Sequence, residues 1–292
     1  MRKSQSSLTA SGIAIIRALE SLKPEGERIC YDPFARQFAN PWLYYFAKFF
    51  VDIGYAPKRG PGVMEFIVSR ARYMDDFLQI YIDDGLEQLV ILGAGFDSRA
   101  YRFEKLKGRV KVFEVDHPAT QQAKLEKLKK IFGQLPNHVI YVPVDFNQEA
   151  LKKRVYESGF DKGLKTLFIW EGVTPYLTPE AIDDTLAFIV NNSGKDSAVI
   201  FDYVYTRLLQ EASKRGEIKR MQRYRGFTGE GLTFGIEEGT IEAFLQLRGF
   251  YQVKNMDSQD LKELYLTGVN QKRMMATGYA VVSAVVHPKG NN

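Results

Sequence analysis

Gln88-Leu89-Val90-Ile91-Leu92-Gly93-Ala94-Gly95-Phe96-Asp97-Ser98-Arg99 is the stretch on which the fold turns. Five residues free of charge, mostly branched and apolar, run straight into two glycines, the pattern of a strand buried on both faces and closed by a tight turn. A glycine turn of this kind lets a nucleotide-like ligand approach the backbone closely. Similar apolar runs follow at Val110–Val115, Val139–Val144, Thr166–Trp170 and Ala198–Tyr203. Helical patterns separate most of them, over Thr120–Phe132, Gln148–Glu157 and Pro179–Asn191. The last opens on Thr178-Pro179-Glu180, a cap followed by proline at the first helical position. Strands alternating with helices imply crossovers and a mostly parallel sheet. Beyond them, a helix over Glu237–Leu247 and strands over Tyr251–Asn255 and Tyr279–His287 complete a βαβ-like unit.

Three acids punctuate the ends of these runs. Asp116 ends the second, about 20 residues beyond the glycines, where an acid accepts hydrogen bonds from ribose hydroxyls. Asp145 ends the third and Glu171 the fourth. All three therefore fall at carboxyl ends of strands, the edge at which open α/β sheets bind ligands. Each acid also has a plainer reading, as a helix cap or a surface charge. The nucleotide is narrowed by what the loop lacks. Ser98 stands where a dinucleotide site has its third glycine, and Asp97 sets a negative charge beside a phosphate position. S-Adenosylmethionine has no phosphate and carries an ammonium and a sulfonium, so an acid-lined pocket suits it.

A helix predicted over Val63–Tyr81 adds an arginine. Its apolar positions are 63, 66, 67, 74, 77, 78 and 81, and Arg70 falls on the same stripe. An inward arginine needs a counter-anion, because an unpaired buried charge is costly. That anion is either a ligand carboxylate gripped by the guanidinium fork, or a protein acid such as Asp97. Arg72 points away from the stripe, toward solvent.

The composition bounds the rest. With 292 residues, 45% hydrophobic and 26% charged, the chain suits one globular domain rather than a disordered one. The expected division is a single domain over 1–292, with a helical preface at 1–85, a ligand-binding core at 86–203, an insertion at 204–235 and a C-terminal part at 236–292. Cys30 has no cysteine partner, the start lacks an apolar leader and no run reaches membrane-spanning length, so a cytoplasmic location is expected. A net charge of +5 does not by itself indicate nucleic acid, since clusters such as Lys124-Leu125-Glu126-Lys127 are balanced. The unbalanced block Lys214–Arg225 reads as a lid attracting an anionic acceptor, with glycines at 226, 229 and 231. The three histidines show neither metal-ligand spacing nor a nucleophile beside them, so no metal is expected. The aromatic stretch Trp42–Phe50 reads as packing between preface and sheet, with an acceptor pocket or a membrane surface as alternatives.

Ser69-Arg70-Ala71-Arg72-Tyr73-Met74-Asp75, the glycine loop, Phe113-Glu114-Val115-Asp116-His117-Pro118 and Ile169–Glu180 together resemble the leucine carboxyl methyltransferase family, specifically its bacterial and archaeal branch. The resemblance runs from about residue 32 to the end of the chain. It implies a class I, Rossmann-like methyltransferase fold with seven strands, S-adenosylmethionine as cofactor and S-adenosylhomocysteine as product. By the same resemblance Arg70 holds the methionine carboxylate, and Gly93 and Gly95 lie in the loop against the methionyl part. Asp116 takes the ribose, Asp145 and Phe146 the adenine, and Glu171 the amino group. Tyr203 faces the acceptor, and methyl passes to an oxygen, a carboxylate, of a small molecule or peptide. The lid segments show no match to the eukaryotic phosphatase-modifying enzymes. An NAD-type oxidoreductase and a non-catalytic ligand- or RNA-binding protein stay open as alternatives.

Overall fold

The computed structural model describes residues 6–54, 61–146, 151–214 and 232–287. Helices α1 (Ser6–Glu20), α2 (Ala35–Phe38), α3 (Pro41–Asp52) and α4 (Val63–Asp83) come first. Then β1 (Gln88–Leu92), the short helix α5 (Arg99–Arg102), β2 (Lys111–Asp116), α6 (Pro118–Phe132), β3 (Val139–Pro143) and α7 (Leu151–Glu157) alternate. They are followed by β4 (Thr166–Trp170), α8 (Pro179–Asn191), β5 (Ala198–Val204), α9 (Thr206–Lys214) and α10 (Ile241–Gln246). The chain closes with β6 (Phe250–Asp257), α11 (Ser258–Tyr265) and β7 (Tyr279–Val286).

The strands form one seven-stranded sheet in the order β3-β2-β1-β4-β5-β7-β6. From β3 through β5 every pairing is parallel, with Val90 opposite both Phe113 and Phe168. The order reverses beside β1, so the edge above β1 and β4 is the switch point where α/β sheets open a crevice. Alternate residues feed two cores. Val90, Leu92, Phe113, Phe168 and Trp170 pack beneath α7 and α8. Leu89, Ile91, Val112, Leu167 and Ile169 pack on the other face with Phe66 and Met74 of α4 and Leu128 of α6.

The end of the chain departs from the sequence reading. β7 pairs antiparallel with both β5 and β6, so the last unit is not a parallel βαβ crossover. The helix expected over 237–247 starts only at Ile241, because Gly239 adopts a φ of +83° in the preceding turn. The expected lid falls largely on 215–231, outside the described residues. Its return is anchored: Thr233 donates from its backbone to Pro175 O at 2.7 Å and from Oγ1 to Leu177 O at 2.8 Å. Among the described residues no helix is long and apolar enough to cross a membrane.

Candidate active site at the carboxyl edge

A cleft opens at the carboxyl ends of β1, β2, β3 and β4. Its lining includes Gly93, Gly95, Asp97, Asp116, Asp145, Phe146, Glu171 and Arg70, with Thr9, Ala10, Ile13 and Arg17 of α1 on the far wall. The structure therefore gathers every cofactor residue expected from sequence into one place. How it does so is local chemistry. Gly93 has a φ of +65°, and a Cβ there would stand 2.2 Å from Val173 Cγ2, so only glycine lets the loop lie against the turn after β4.

Asp116 fastens the loop to the second strand. One of its oxygens accepts the Gly95 amide at 2.5 Å, and the other accepts the His117 amide at 2.6 Å. Burial raises its carboxyl above the ordinary range, against those two amides. Each oxygen retains a lone pair for a ligand hydroxyl. His117 has a local role: Nδ1 accepts the Ala119 amide at 3.2 Å and caps α6, and Nε2 lies 3.8 Å from Asp145.

Arg70 faces inward as its stripe demands, and its anions are protein acids. One terminal nitrogen donates to Asp202 Oδ2 at 2.6 Å, while Nε and the other terminal nitrogen reach Glu171 Oε1 at 3.1 and 3.0 Å. These contacts use three of the five guanidinium N–H groups. Asp97, named from sequence as a possible partner, is taken instead by Arg99. That arginine donates to Asp75 at 2.7 Å, to Glu171 Oε2 at 2.7 Å, to Ala71 O at 3.1 Å and to Asp97. Burial opposes its charge, but the three carboxylates hold its pKa far above the ordinary value. Burial likewise opposes ionisation of Glu171, yet Arg99, Arg70 and Arg17 hold its carboxyl well below the usual range.

Arg99, Asp202, Asp75 and Arg17 were missed by sequence reasoning. Arg17 comes from α1, bonding Asp32 at 3.0 Å and Phe96 O at 2.6 Å. Arg99 gave no local signal, since of its acids only Asp97 is near in the chain and Asp75 and Glu171 lie 24 and 72 residues away. The structure also qualifies the phosphate argument, because Asp97 is neutralised by Arg99 rather than standing as an open negative charge. Tyr203 departs further. It does not line the cleft; its ring is buried edge-on to Tyr205, and its hydroxyl donates to Asn255 Oδ1 at 3.1 Å. Burial lifts that hydroxyl far above its ordinary range, which keeps it protonated near neutrality.

A seven-stranded sheet of this order, with an acid-lined cleft over a glycine loop, defines the class I methyltransferase fold. A model of the family "Leucine carboxyl methyltransferase" matches residues 10–190, and the chain belongs to that family. Relatives include "Putative S-adenosyl-L-methionine-dependent methyltransferase YktD" of Bacillus subtilis (strain 168), 30% identical over 68% of this chain and 66% of its own length. A "Putative S-adenosyl-L-methionine-dependent methyltransferase" of Mycobacterium ulcerans (strain Agy99) is 35% identical over 66% of this chain and 64% of its own. The chain thus covers just under two thirds of these curated relatives. Among solved structures, a "putative methyltransferase from Thermobifida fusca YX" shares the fold with a TM-score of 0.55 and 13% identity, covering 94% of this chain and 95% of its own.

Proposed function

We propose that this chain transfers a methyl group from S-adenosylmethionine to an oxygen, a carboxylate, of a small-molecule or peptide acceptor. The observation that carries the reading is the charge of the cleft lining: Asp97, Asp116, Asp145 and Glu171 against Arg17 and Arg70. With Asp97 balanced by Arg99, Asp116, Asp145 and Glu171 stand against Arg17 and Arg70, which suits a ligand with an ammonium, a sulfonium and a single carboxylate. The names of the family and of the bacterial relatives support the same cofactor.

The residues fit the cofactor group by group. Asp116, fixed by two backbone amides, presents free lone pairs to ribose hydroxyls. Asp145 and Phe146, in the same lining, take the adenine in this reading. Glu171, ionised by its arginines, takes the ammonium, and the two uncommitted N–H groups of Arg70 take the carboxylate. When bound, the cofactor supplies an electrophilic methyl on sulfur. The chain's task is to hold the acceptor oxygen about 3 Å from that carbon and in line with the leaving sulfur. A carboxylate with a reference pKa of about 4 is already ionised at neutral pH, so no protein base has to remove a proton. Tyr203, locked on Asn255, is assigned no catalytic role.

Thermal denaturation checks the cofactor. S-Adenosylhomocysteine at 100 times its dissociation constant should add about 2.7 kcal/mol of stability. An equal shift with NAD would overturn the assignment in favour of the oxidoreductase reading. For the acceptor, the enzyme is incubated with methyl-labelled cofactor and cell extract. Label released as methanol by mild base identifies a carboxyl ester; base-stable label refutes the carboxylate.

A further inference from the structure

We infer that α3 is the contact helix of a two-fold dimer, a surface on which a second copy of this chain docks. The helix is fixed by local chemistry. Asn40 Oδ1 accepts the Trp42 and Leu43 amides at 3.0 and 3.3 Å, and Pro41 occupies the first turn. Its inner face is also settled: Tyr44 is buried against Ile15 and Ala18 of α1, with the Arg36 guanidinium 4.0 Å from its ring centre. Among the described residues nothing covers the outer face.

Trp42 is 86% exposed, Tyr45 63%, Phe46 64%, Phe49 58% and Ile53 56%. At about 100° per residue these five fall within an arc of roughly 100°, opposite Tyr44 and Ala47. Aromatic side chains each present about 150–250 Å², so the exposed face amounts to something on the order of 700 Å². Monomers rarely leave a contiguous apolar patch of more than a few hundred Å² in water. A stable complex buries about 800 Å² on each partner, so this face is close to what one needs. Its composition, aromatic at the centre, is that of an interface core.

Two features select a second copy over a lipid surface. Helices that lie on membranes carry a polar face rich in Lys and Arg. Here the helix has only Lys48 and Asp52 as charges, and they neutralise each other at 2.6 Å. The stripe is also complementary to its own reverse. An antiparallel partner related by a two-fold axis on this outer face, level with the turn between Phe46 and Phe49, sets Trp42 against Ile53 and Phe46 against Phe49. Large then meets small at the ends and ring meets ring in the middle, as an isologous contact requires.

Sedimentation velocity on the full chain from 1 to 100 µM tests the inference. A dimer is expected, with Phe46→Asp and Phe49→Asp each weakening it at least about 30-fold while leaving far-ultraviolet circular dichroism unchanged. Trp42→Ala, at the end of the helix, should weaken it without introducing a charge. A wild-type chain that stays monomeric across this range overturns the inference. So does a dimer indifferent to all three substitutions. A parallel arm uses vesicles of phosphatidylcholine with phosphatidylglycerol: a monomer that co-sediments with them, and loses this with Phe46→Asp, assigns the face to lipid instead.

Discussion

Two sets of buried charges lie close to the cleft and are built on opposite plans. Around Arg70 and Arg99, two of the four carboxylates are shared: Glu171 meets both arginines, and Asp75 meets Arg99 and Arg102, while Asp202 and Asp97 each meet one. Beneath α6, Glu114 of β2 meets the single ammonium of Lys124 at 2.8 Å, both fully buried, and Lys124 also donates to Ala94 O of the glycine loop at 3.4 Å. The consequences diverge. Burial is overcome by the arginines at Glu171, whose carboxyl is held well below the ordinary range. At Glu114 burial prevails over Lys124 and pushes the carboxyl up to about 7. Several guanidiniums make a fixed charge, whereas one ammonium leaves a group that titrates near neutrality. The cleft is built on the first plan, as a site that binds charged groups should be.

The comparison breaks most readily at Arg99. Arg99→Met removes the guanidinium and leaves Asp75, Asp97 and Glu171 buried without it. The expected loss is about 3–5 kcal/mol of stability, lowering Tm by roughly 10 °C. Arg99→Lys should recover less than half of this, because three mobile donors cannot span three carboxylates and the Ala71 carbonyl. Calorimetry on both variants gives the answer. A loss under about 1 kcal/mol for Arg99→Met would mean that the network is incidental to the fold.

Glu114 should respond to pH in the opposite sense from the network. Its folded carboxyl holds its proton up to about 7, whereas the unfolded one ionises near its ordinary value of 4.5. Between these values the folded state binds more protons, so stability falls as pH rises. The penalty is absent below the unfolded pKa and complete above the folded one. It amounts to roughly 3 kcal/mol at most. Glu114→Gln should therefore gain on the wild type as pH goes from 5 to 8 in denaturant titrations. Parallel pH profiles for the two proteins would show that the carboxyl is ionised in the fold throughout.

Most of the sheet was legible in the sequence because its strands are buried on both faces and end in glycine or acid. β1, β4 and α8 match the expected bounds, and Asp116, Asp145 and Glu171 reach the same edge. What stayed hidden depends on partners distant in the chain. Glu171 is 101 residues from Arg70 and 72 from Arg99, so no local pattern announces the pairing. Asp202 and Tyr203 are neighbours on a strand, and only the register shows that Asp202 turns to Arg70 and Tyr203 to Asn255. The aromatic stretch of α3 was expected to be packing between preface and sheet. Hydrophobicity alone does not tell a buried stripe from an exposed one, and the structure exposes it.

The next largest effect separates rim from base within the network. Arg70 lines the cleft and keeps two N–H groups uncommitted, whereas Arg99 sits behind it with four of its five N–H groups engaged. Arg70→Ala should weaken S-adenosylhomocysteine binding about 10- to 100-fold, the worth of a charge-assisted, two-pronged contact of about 1.5–3 kcal/mol. Arg70→Lys should also bind weakly, since an ammonium cannot reproduce the fork. Isothermal titration of the folded variants reads this directly. Wild-type affinity in Arg70→Ala would leave the arginine as a counter-ion to Glu171 and Asp202 alone.

Arg72 supplies the smallest expected change and the sharpest control. It lies two residues from Arg70 on the same helix, roughly 200° around its axis. Its guanidinium is about half exposed, bonding Asp76 at 2.8 Å and lying beside the Tyr265 ring. An exposed pair four residues apart on a helix contributes about 0.3–0.5 kcal/mol. Arg72→Ala should therefore shift Tm by no more than about 2 °C and change S-adenosylhomocysteine affinity less than about threefold. The two variants share backbone, charge change and position along the helix, and they differ chiefly in the direction the side chain faces. A weak Arg72→Ala variant beside a normal Arg70→Ala variant would show that the cleft reads the other face of α4. Equal weakening in both would point to a general loss of positive charge near the ligand rather than to a placed fork.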